Sequence, residues 1–360
     1  MTDEHYMKMA LALARRGAPW ACPNPLVGAV IVKNGRIIGK GYHRCCGENH
    51  AEINAIESAT EPVRGSTVYV TLEPCSHHGR TPPCVDRLVQ ERPARVVIGT
   101  IDPNPAVSGR GLAALKRHGI ETRTGVLEDA CRELNEVFFK YIRTRIPFVT
   151  LKFAQSIDGK IATATGHSRW ISSEPSRVYA HRLRSLHDAI LVGSGTIVKD
   201  DPELTCRLVK GRDPLRVVVD STLKIGPGAR VLQDQSRAKT LVFTASGHDR
   251  KKKALLAASG IEVRVAGRKR VDLAAVLEEL GRREISSLLV EGGAGVLTSF
   301  IRERLADRLI VISAPMIFGR GTDAIGELGV RTVDQAVPIA IRRVSRKHGD
   351  IIVDARFMKD

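Results

Sequence analysis

His50 and Glu52 stand two residues apart, and Pro74-Cys75 follows beyond the run "STVYVTL". A second thiol, Cys84, lies across the spacer "SHHGRTPP". One imidazole and two thiolates can hold a zinc ion and leave its fourth tetrahedral position to water. Zinc lowers the pKa of such a water toward neutrality and makes hydroxide available. Glu52 sits too close to the His50 ligand to coordinate easily as well. It is free to take a proton from water and deliver it to a ring and then to a departing amine. A structural zinc site would instead supply a fourth protein ligand.

An H-x-E step followed by P-C-x-x-C is the signature of zinc deaminases. This chain departs from it at the third ligand, because His77 occupies the place of the second Cys. Cys84 is the expected ligand. Pro83 sets it at a helix N-terminus, where dipole and metal both favour the thiolate. His77 and His78 are its rivals. Cys22, Cys131 and Cys206 read as small buried hydrophobes, and Cys45-Cys46 as loop thiols near the site.

The elements that must carry these residues alternate short β-rich runs with helical patterns, as α/β layers do. "MTDEHYMKMALALARRG" predicts an amphipathic first helix, acidic at its start and basic at its end. "LVGAVIV" and "IIGKGYH" flank Asn34-Gly35 as a hairpin. A helix is expected from near His50, a buried strand in "STVYVTL", and a helix from near Pro83. "ARVVIGT" reads as a strand, "GLAALKRHG" as a helix stopped by Gly119, and "DACRELNEVFFKYIRTR" as one long helix. Pro147 then opens a second series. Its strands are expected near 148–154, 188–193, 215–219, 240–244, 261–265, 286–291 and 307–313, with helices near 174–186, 272–282 and 294–304. The domain boundary falls at 145–147, giving domains 1–145 and 146–360.

The 360 residues suit two domains, and 43% apolar with 26% charged residues supports a packed core. The start of the chain does not read as a secretory leader, and no apolar run approaches the length of a membrane span. Seven Cys, unevenly spread, suit metal ligation or free thiols better than a disulfide framework. A cytoplasmic protein that engages no membrane is expected. The net charge of +17 raises the question of nucleic acid. The basic residues are dispersed, however, "DRKKK" at 249–253 being the densest run. Phosphorylated small molecules are the expected partners, with basic charge assisting their encounter.

In the second half, "LLVEGGAGVLTSFI" is a strand ending in a Gly pair and entering a helix. It offers unpaired N–H donors for a phosphate. It is not G-x-G-x-x-G, because Thr298 takes the last position. "GSGT" after "AILV" is a second such turn. Each reads equally well as a tight strand–helix connection.

"PNPLVGAVIV", "GYH", "HAE", "TLEPCSHHGRTPPC", "DPNP" and "GRG" together resemble the deaminase half of the bifunctional deaminase–reductases of riboflavin biosynthesis. "W-I-S", "G-T", "D-D-P-x-L-T-x-R" and "V-E-G-G" resemble their reductase half over most of 148–320, more thinly over 222–285 and the C-terminal tail. The resemblance implies a cytidine-deaminase-like three-layer domain followed by a dihydrofolate-reductase-like α/β domain. It implies that a diaminopyrimidine ribosylamino phosphate loses ammonia at zinc and that NADPH then reduces its ribosyl group to a ribityl chain. By position, it places Asn24, His43 and Arg80 at the deaminase substrate. It places Ala154, Trp170, Thr196, Asp200, Ser221, Gly293, Ala294 and Gly295 at NADPH. It places Ser168, Arg184, Leu204, Arg207 and Glu291 at the reductase substrate. Arg184 and Arg207 could grip its phosphate by paired hydrogen bonds. Lys152 could supply a proton to the reduction, although a salt-bridged strand lysine is the plainer reading. A homo-oligomer is expected.

Two rival readings differ in class. A nucleic-acid or nucleoside deaminase with an accessory binding domain would use zinc, Glu52 and the basic charge. The long Cys75–Cys84 spacer and an aromatic content of 4% speak against it. A non-catalytic zinc module would need a fourth ligand and no Glu52.

Overall fold

The structure, a computed structural model, describes residues 1–18, 20–78, 82–104 and 107–358. Arg80 therefore lies outside the described residues. The chain divides into two compact units, Met1–Arg145 and Ile146–Asp360.

The first unit contains α1 (Asp3–Ala14), β1 (Gly28–Lys33), β2 (Arg36–Tyr42), α2 (Ala51–Glu57), β3 (Thr67–Leu72) and α3 (Cys84–Glu91). Then follow β4 (Arg95–Thr100), α4 (Arg110–Arg117), β5 (Glu121–Thr124), α5 (Glu128–Leu134) and α6 (Glu136–Thr144). Its five strands form one sheet in the order β2-β1-β3-β4-β5. β1 runs antiparallel to β2 and β3, while β3, β4 and β5 are parallel. The β1–β2 turn places Asn34 and Gly35 at φ 49° and 75°, as an Asn-Gly hairpin requires.

Alternation along the strands sends side chains to two cores. Ile31, Val68, Val70 and Ile98 meet Ala55 of α2, Leu88 of α3 and Leu115 of α4. Val30, Tyr69 and Val97 meet Met7 and Leu11 of α1 and Cys131 of α5. The result is a three-layer sandwich. One expectation is corrected here: the long helix over 129–145 is two helices, broken at Asn135. The Asn135 side chain accepts from the Leu26 N–H at 2.8 Å and donates to the Leu26 carbonyl at 2.9 Å. Its backbone leaves the helical region, at φ −110° and ψ 20°, to make that clamp.

The second unit begins with β6 (Phe148–Ser156), β7 (Lys160–Thr163), α7 (Glu174–Leu186), β8 (Ala189–Gly193), α8 (Ser194–Asp200) and β9 (Leu215–Val219). It continues with β10 (Thr240–Thr244), α9 (Arg250–Ala258), β11 (Glu262–Val265), α10 (Leu273–Arg282), β12 (Ser287–Val290) and α11 (Ala294–Arg302). It ends with β13 (Arg308–Ala314), β14 (Gly321–Asp323), β15 (Ile339–Lys347) and β16 (Asp350–Phe357). Nine strands form one sheet in the order β11-β10-β9-β8-β12-β6-β13-β16-β15. All are parallel from β11 to β13, and the last two strands pair antiparallel. α10 and α11 cover one face through Leu277, Leu280, Leu297 and Phe300. α7, α8 and α9 cover the other through Leu183, Ile197 and Leu256. The seven expected strands all form. The expectations contained no strand in the C-terminal tail, which supplies the antiparallel β15–β16 pair.

Candidate active sites

In the first unit, α2 and α3 bring their N-termini to the carboxyl end of β3. Gly39 and Gly41 on β2 let α2 lie directly on the strand. A Cβ at Gly41 would fall 2.3 Å from the Ala51 carbonyl oxygen, and one at Gly39 would fall 2.3 Å from that of Ala55. His50 is the N-cap of α2, Glu52 lies in its first turn, and Cys84 is the first residue of α3. Cys75 follows β3 by a short loop, which the Val85 N–H holds by donating to the Cys75 carbonyl at 3.2 Å.

His50 Nδ1 lies 3.5 Å from Cys75 Sγ and 3.3 Å from Cys84 Sγ. All three ligand atoms fall within 4.8 Å of one another. Bonds of zinc to nitrogen and sulfur at tetrahedral angles separate N and S by about 3.5 Å, so the donor set fits zinc in both chemistry and spacing. Among the described residues this is the cluster of ligating side chains able to hold a metal. His77 and His78 are exposed and outside it. The Cys84 N–H donates to Cys75 Sγ at 3.3 Å, so the start of α3 stabilises the neighbour's sulfur as well as carrying its own. With the protein's own charges alone, the two thiols share a proton. The Cys84 thiol and the His50 ring outweigh burial to hold Cys75 low, and Cys84 is correspondingly raised.

Glu52 is buried, 3% exposed. Burial pushes its carboxyl up to about 7, and the neighbouring His50 opposes that shift. Asn24 and His43, far apart in sequence, meet here, with Asn24 Nδ2 lying 3.1 Å from His43 Nε2. His43 Nδ1 faces the Asn49 carbonyl at 3.2 Å, which can only accept, so this nitrogen carries the proton and Nε2 accepts from Asn24. The His43 ring stands edge-on to that of His50, with centroids 5.3 Å apart. Burial lowers the pKa of His43 and keeps it neutral.

Sequence reasoning missed Glu73, although it stands inside "TLEPC". Its buried carboxylate accepts from the N–H groups of Asp102 (3.3 Å), Gly109 (3.0 Å) and Leu112 (3.1 Å). It thereby ties the Cys75 loop to the start of α4. Gly111 permits the contact, since a Cβ there would lie 2.2 Å from the Pro74 carbonyl oxygen. Asp102 is also buried, and burial raises it to about 6. A carboxylate beside Pro-Cys on a buried strand end was the available signal.

In the second unit, Lys152 projects from β6, Arg184 from α7, and Glu291 follows β12. The guanidinium of Arg184 grips Glu291 by two bonds, at 2.7 and 3.2 Å, and donates to the Thr205 carbonyl at 3.3 Å. Lys152 Nζ lies 3.9 Å from Glu291 Oε2. Burial alone would raise Glu291, but the Arg184 and Lys152 charges outweigh it and hold the carboxylate at about 2. Burial lowers Lys152 against the pull of Glu291. Arg184 and Glu291, both expected at the reductase substrate, are thus brought together, with the Arg184 fork bonded to Glu291. Arg207 is half-exposed and paired with Glu203. Its backbone N–H donates to His181 Nδ1 at 3.0 Å, an unanticipated neighbour of Arg184 on α7. Leu204 is buried in the core with φ 58°, and its side chain packs inward.

The residues expected at the cofactor fall into small groups. The Thr196 hydroxyl accepts from the Gly293 N–H at 3.1 Å, which joins the two strand–helix turns. Val296 fills the space that a Cβ at Gly193 or Gly292 would need, at 2.7 and 2.8 Å. Beyond Gly293, the N–H groups of Ala294 and Gly295 open α11, and Gly295 has open space around its Cα. Such a terminus suits an anionic cofactor group. The Ser168 hydroxyl donates to Asp200 at 3.4 Å, which joins one expected substrate contact to one expected cofactor contact. Trp170 is exposed, with Arg177 4.6 Å from its ring centroid. Ala154 is half-buried on β6, and Ser221 lies apart, just past β9.

Residues 1–100 match the cytidine and deoxycytidylate deaminase zinc-binding region, and residues 147–350 match the RibD C-terminal domain. Riboflavin biosynthesis protein RibD of Aquifex aeolicus is 44% identical over 98% of this chain and 97% of its own length. The RibD protein of Escherichia coli is 40% identical over 91% of this chain and 90% of its own. The crystal structure of a diaminohydroxyphosphoribosylaminopyrimidine deaminase/5-amino-6-(5-phosphoribosylamino)uracil reductase from Thermotoga maritima is 39% identical, covers 99% of both chains, and superposes with a TM-score of 0.87. Acinetobacter baumannii RibD gives 34% and 0.88 over the same coverage. A zinc-binding deaminase unit followed by a dihydrofolate-reductase-like reductase unit, matched along nearly the whole chain, makes this protein a member of the RibD family of bifunctional riboflavin-biosynthesis enzymes, which use zinc and NADPH.

Proposed function

We propose that residues 1–145 deaminate a diaminopyrimidine ribosylamino phosphate and that residues 146–360 then reduce its ribosyl group. The observation that carries the first step is the spacing of His50, Cys75 and Cys84 around one point, with buried Glu52 a single turn away. Zinc, when bound, supplies a water acidified toward neutral pH. Glu52 takes one proton of that water at a carboxylate oxygen and delivers it to the ring nitrogen; it then takes the second, from the hydroxyl now on the ring carbon, and passes it to the amine, which leaves as ammonia as the C–N bond breaks and a carbonyl forms. Asn24 and His43, bonded to each other, orient the base and ribose. Arg80 is a proposed phosphate contact on sequence grounds.

For the second step, NADPH supplies the hydride. The hydride adds to C1 of the opened ribose and a proton adds to the atom double-bonded to it, leaving a ribityl chain. Lys152 is the proposed proton donor. Its burial favours release of the proton, and the fixed anion of Glu291 keeps its head in place. Ser168, Arg184, Leu204, Arg207 and Glu291 hold the sugar phosphate, with Arg184 and Glu291 fixing each other. Ala154, Trp170, Thr196, Asp200, Ser221 and the turn at 293–295 hold the cofactor.

No helix among the described residues is long and apolar enough to cross a membrane. Seven free thiols suit a reducing compartment, which supports a cytoplasmic enzyme. Self-association is proposed through β15, an edge strand with Ile341 and Val344 exposed. Light scattering checks it, and a monomer at all concentrations would refute it.

The decisive assay gives the purified protein the diaminopyrimidine ribosylamino phosphate and follows ammonia and NADPH together. Ammonia should appear without NADPH, and oxidation of NADPH should follow its addition. If zinc-loaded protein produces neither signal, the substrate assignment fails.

A further inference from the structure

The carboxyl ends of β9, β10 and β11 lie side by side in a parallel register that aligns Phe243 with Val219 and Thr244 with Val265. Past these ends the chain ties three segments together. The Val271 N–H donates to Ser221 Oγ at 3.0 Å. The Ser221 carbonyl accepts from the Thr244 hydroxyl and the Ala245 N–H, each at 3.2 Å. Ser246 donates its N–H to the Gly267 carbonyl at 3.0 Å and its hydroxyl to the Arg268 carbonyl at 3.1 Å. Gly267 turns the chain at φ 106°, and a Cβ there would lie 2.2 Å from the Arg270 carbonyl oxygen. The loop that results is pinned by its backbone and presents Arg268, Lys269 and Arg270 to solvent.

None of these three cations has a carboxylate partner among the described residues, whereas Arg264, Arg282 and Arg283 of the same unit do. The acids nearby are spent elsewhere. Asp272 accepts from the Ala275 N–H at the start of α10, and Asp249 accepts from the Lys251 and Lys252 N–H groups at the start of α9. Asp220, next to Ser221, is 1% exposed and accepts from the Ile225 N–H at 2.9 Å. This last point discriminates. A carboxylate at the end of such a strand selects NADH by bonding the ribose 2′-hydroxyl, whereas an arginine there accommodates the 2′-phosphate of NADPH. Here the carboxylate is turned inward, and a hydroxyl and three unpaired cations face outward.

We infer that the Arg268-Lys269-Arg270 loop, beside the Ser221 hydroxyl, binds the 2′-phosphate of NADPH and makes the reductase reject NADH. This rests on the reading of Ser221 as a cofactor contact. Calorimetric titration of the full chain with 2′,5′-ADP and with 5′-AMP tests it, since the two probes differ by that phosphate alone. The wild type should bind 2′,5′-ADP at least roughly tenfold more tightly than 5′-AMP, charge-assisted bonds to a phosphate being the strong ones. Arg268→Ala/Lys269→Ala/Arg270→Ala should weaken 2′,5′-ADP by about 100-fold, flatten its salt dependence and leave 5′-AMP within about twofold. Equal losses for both probes would make the loop a structural element and overturn the proposal. No loss for either would overturn it as well. Wild-type protein that binds NADPH by nicotinamide fluorescence yet neither probe would place the adenosine elsewhere, and would sink the reading of Ser221 along with the loop.

Discussion

Glu52 in the first unit and Glu291 in the second are both buried glutamates beside basic or metal-binding groups, yet their protons behave in opposite ways. Burial dominates at Glu52 and lifts it to about 7, because a nearby thiolate adds to burial, and His50 with hydrogen bonds from the backbone and from Cys84 opposes it without prevailing. At Glu291 burial pushes in the same direction, but a bidentate guanidinium and a lysine reverse the outcome to about 2. Depth therefore does not decide protonation; the charges that share the depth do. The first glutamate is suited to carry a proton, and the second to stay an anion that fixes two cations. The two sites also differ in reach. His50 and Cys84 are separated by 34 positions, Arg184 and Glu291 by 107.

The largest effect should come from the mobile proton. Glu52→Gln is expected to lower ammonia release by about 10²–10⁴-fold while zinc content and NADPH-dependent reduction of already deaminated substrate stay unchanged. Retained deamination would remove Glu52 from the mechanism and with it the contrast to Glu291. Lys152→Met is the mirror experiment: reduction should fall by about 10²–10⁴-fold with ammonia release intact. A variant that reduces normally would leave Lys152 as a mere partner of Glu291.

Glu291→Gln tests the fixed anion through stability. Removing one partner of a buried ion pair costs about 3–5 kcal/mol, measurable by chemical denaturation at neutral pH. Because Glu291 is held at about 2 when folded, against an ordinary 4.5, its contribution is complete above about 4.5 and is lost as pH falls toward about 2. The Gln variant should lack that acid-side slope. It should keep the loss that begins higher, between 6.5 and about 4, where His187, held neutral chiefly by burial, must take up a proton. A wild-type curve flat below pH 4.5 would contradict the pairing. The smallest effect is expected at Glu73. Glu73→Ala leaves backbone donors unsatisfied and should cost the first unit about 1–3 kcal/mol. Zinc should bind about tenfold more weakly, with the reductase unaffected; unchanged zinc affinity would confine Glu73 to the fold.

Much of the zinc site was legible because its parts are local. A His at a helix start, a Glu in the following turn, and a Pro that begins the next helix at a Cys are all written within short stretches. Most strands were legible for the same reason, each being a β-branched run between turns; the short β5, β7 and β14 were not expected. The break at Asn135 was not legible, since its cause is a bond to Leu26, 109 positions away along the chain. The antiparallel β15–β16 pair escaped as well, because an edge hairpin with one polar face has little apolar pattern to show. In the second unit, Arg184 was placed at the substrate phosphate by resemblance, and its planar fork agrees with that place. Nothing local in the sequence says that Glu291 also bonds that fork.

What the sequence determined by itself was therefore the chemistry that adjacent residues impose: the ligand types, the proton carrier, the helix starts and the alternation that buries each strand. The tertiary structure alone decided which distant charges share a buried volume. Arg184, Lys152 and Glu291 form one group because a parallel sheet sets β6 beside β12 and lays α7 across them. Asp220 and the 268–270 loop face opposite ways because a strand end and a glycine turn aim them. Pairing across such distances depends on sheet order and on the desolvation of each charge, and neither is carried by the spacing of residues along the chain.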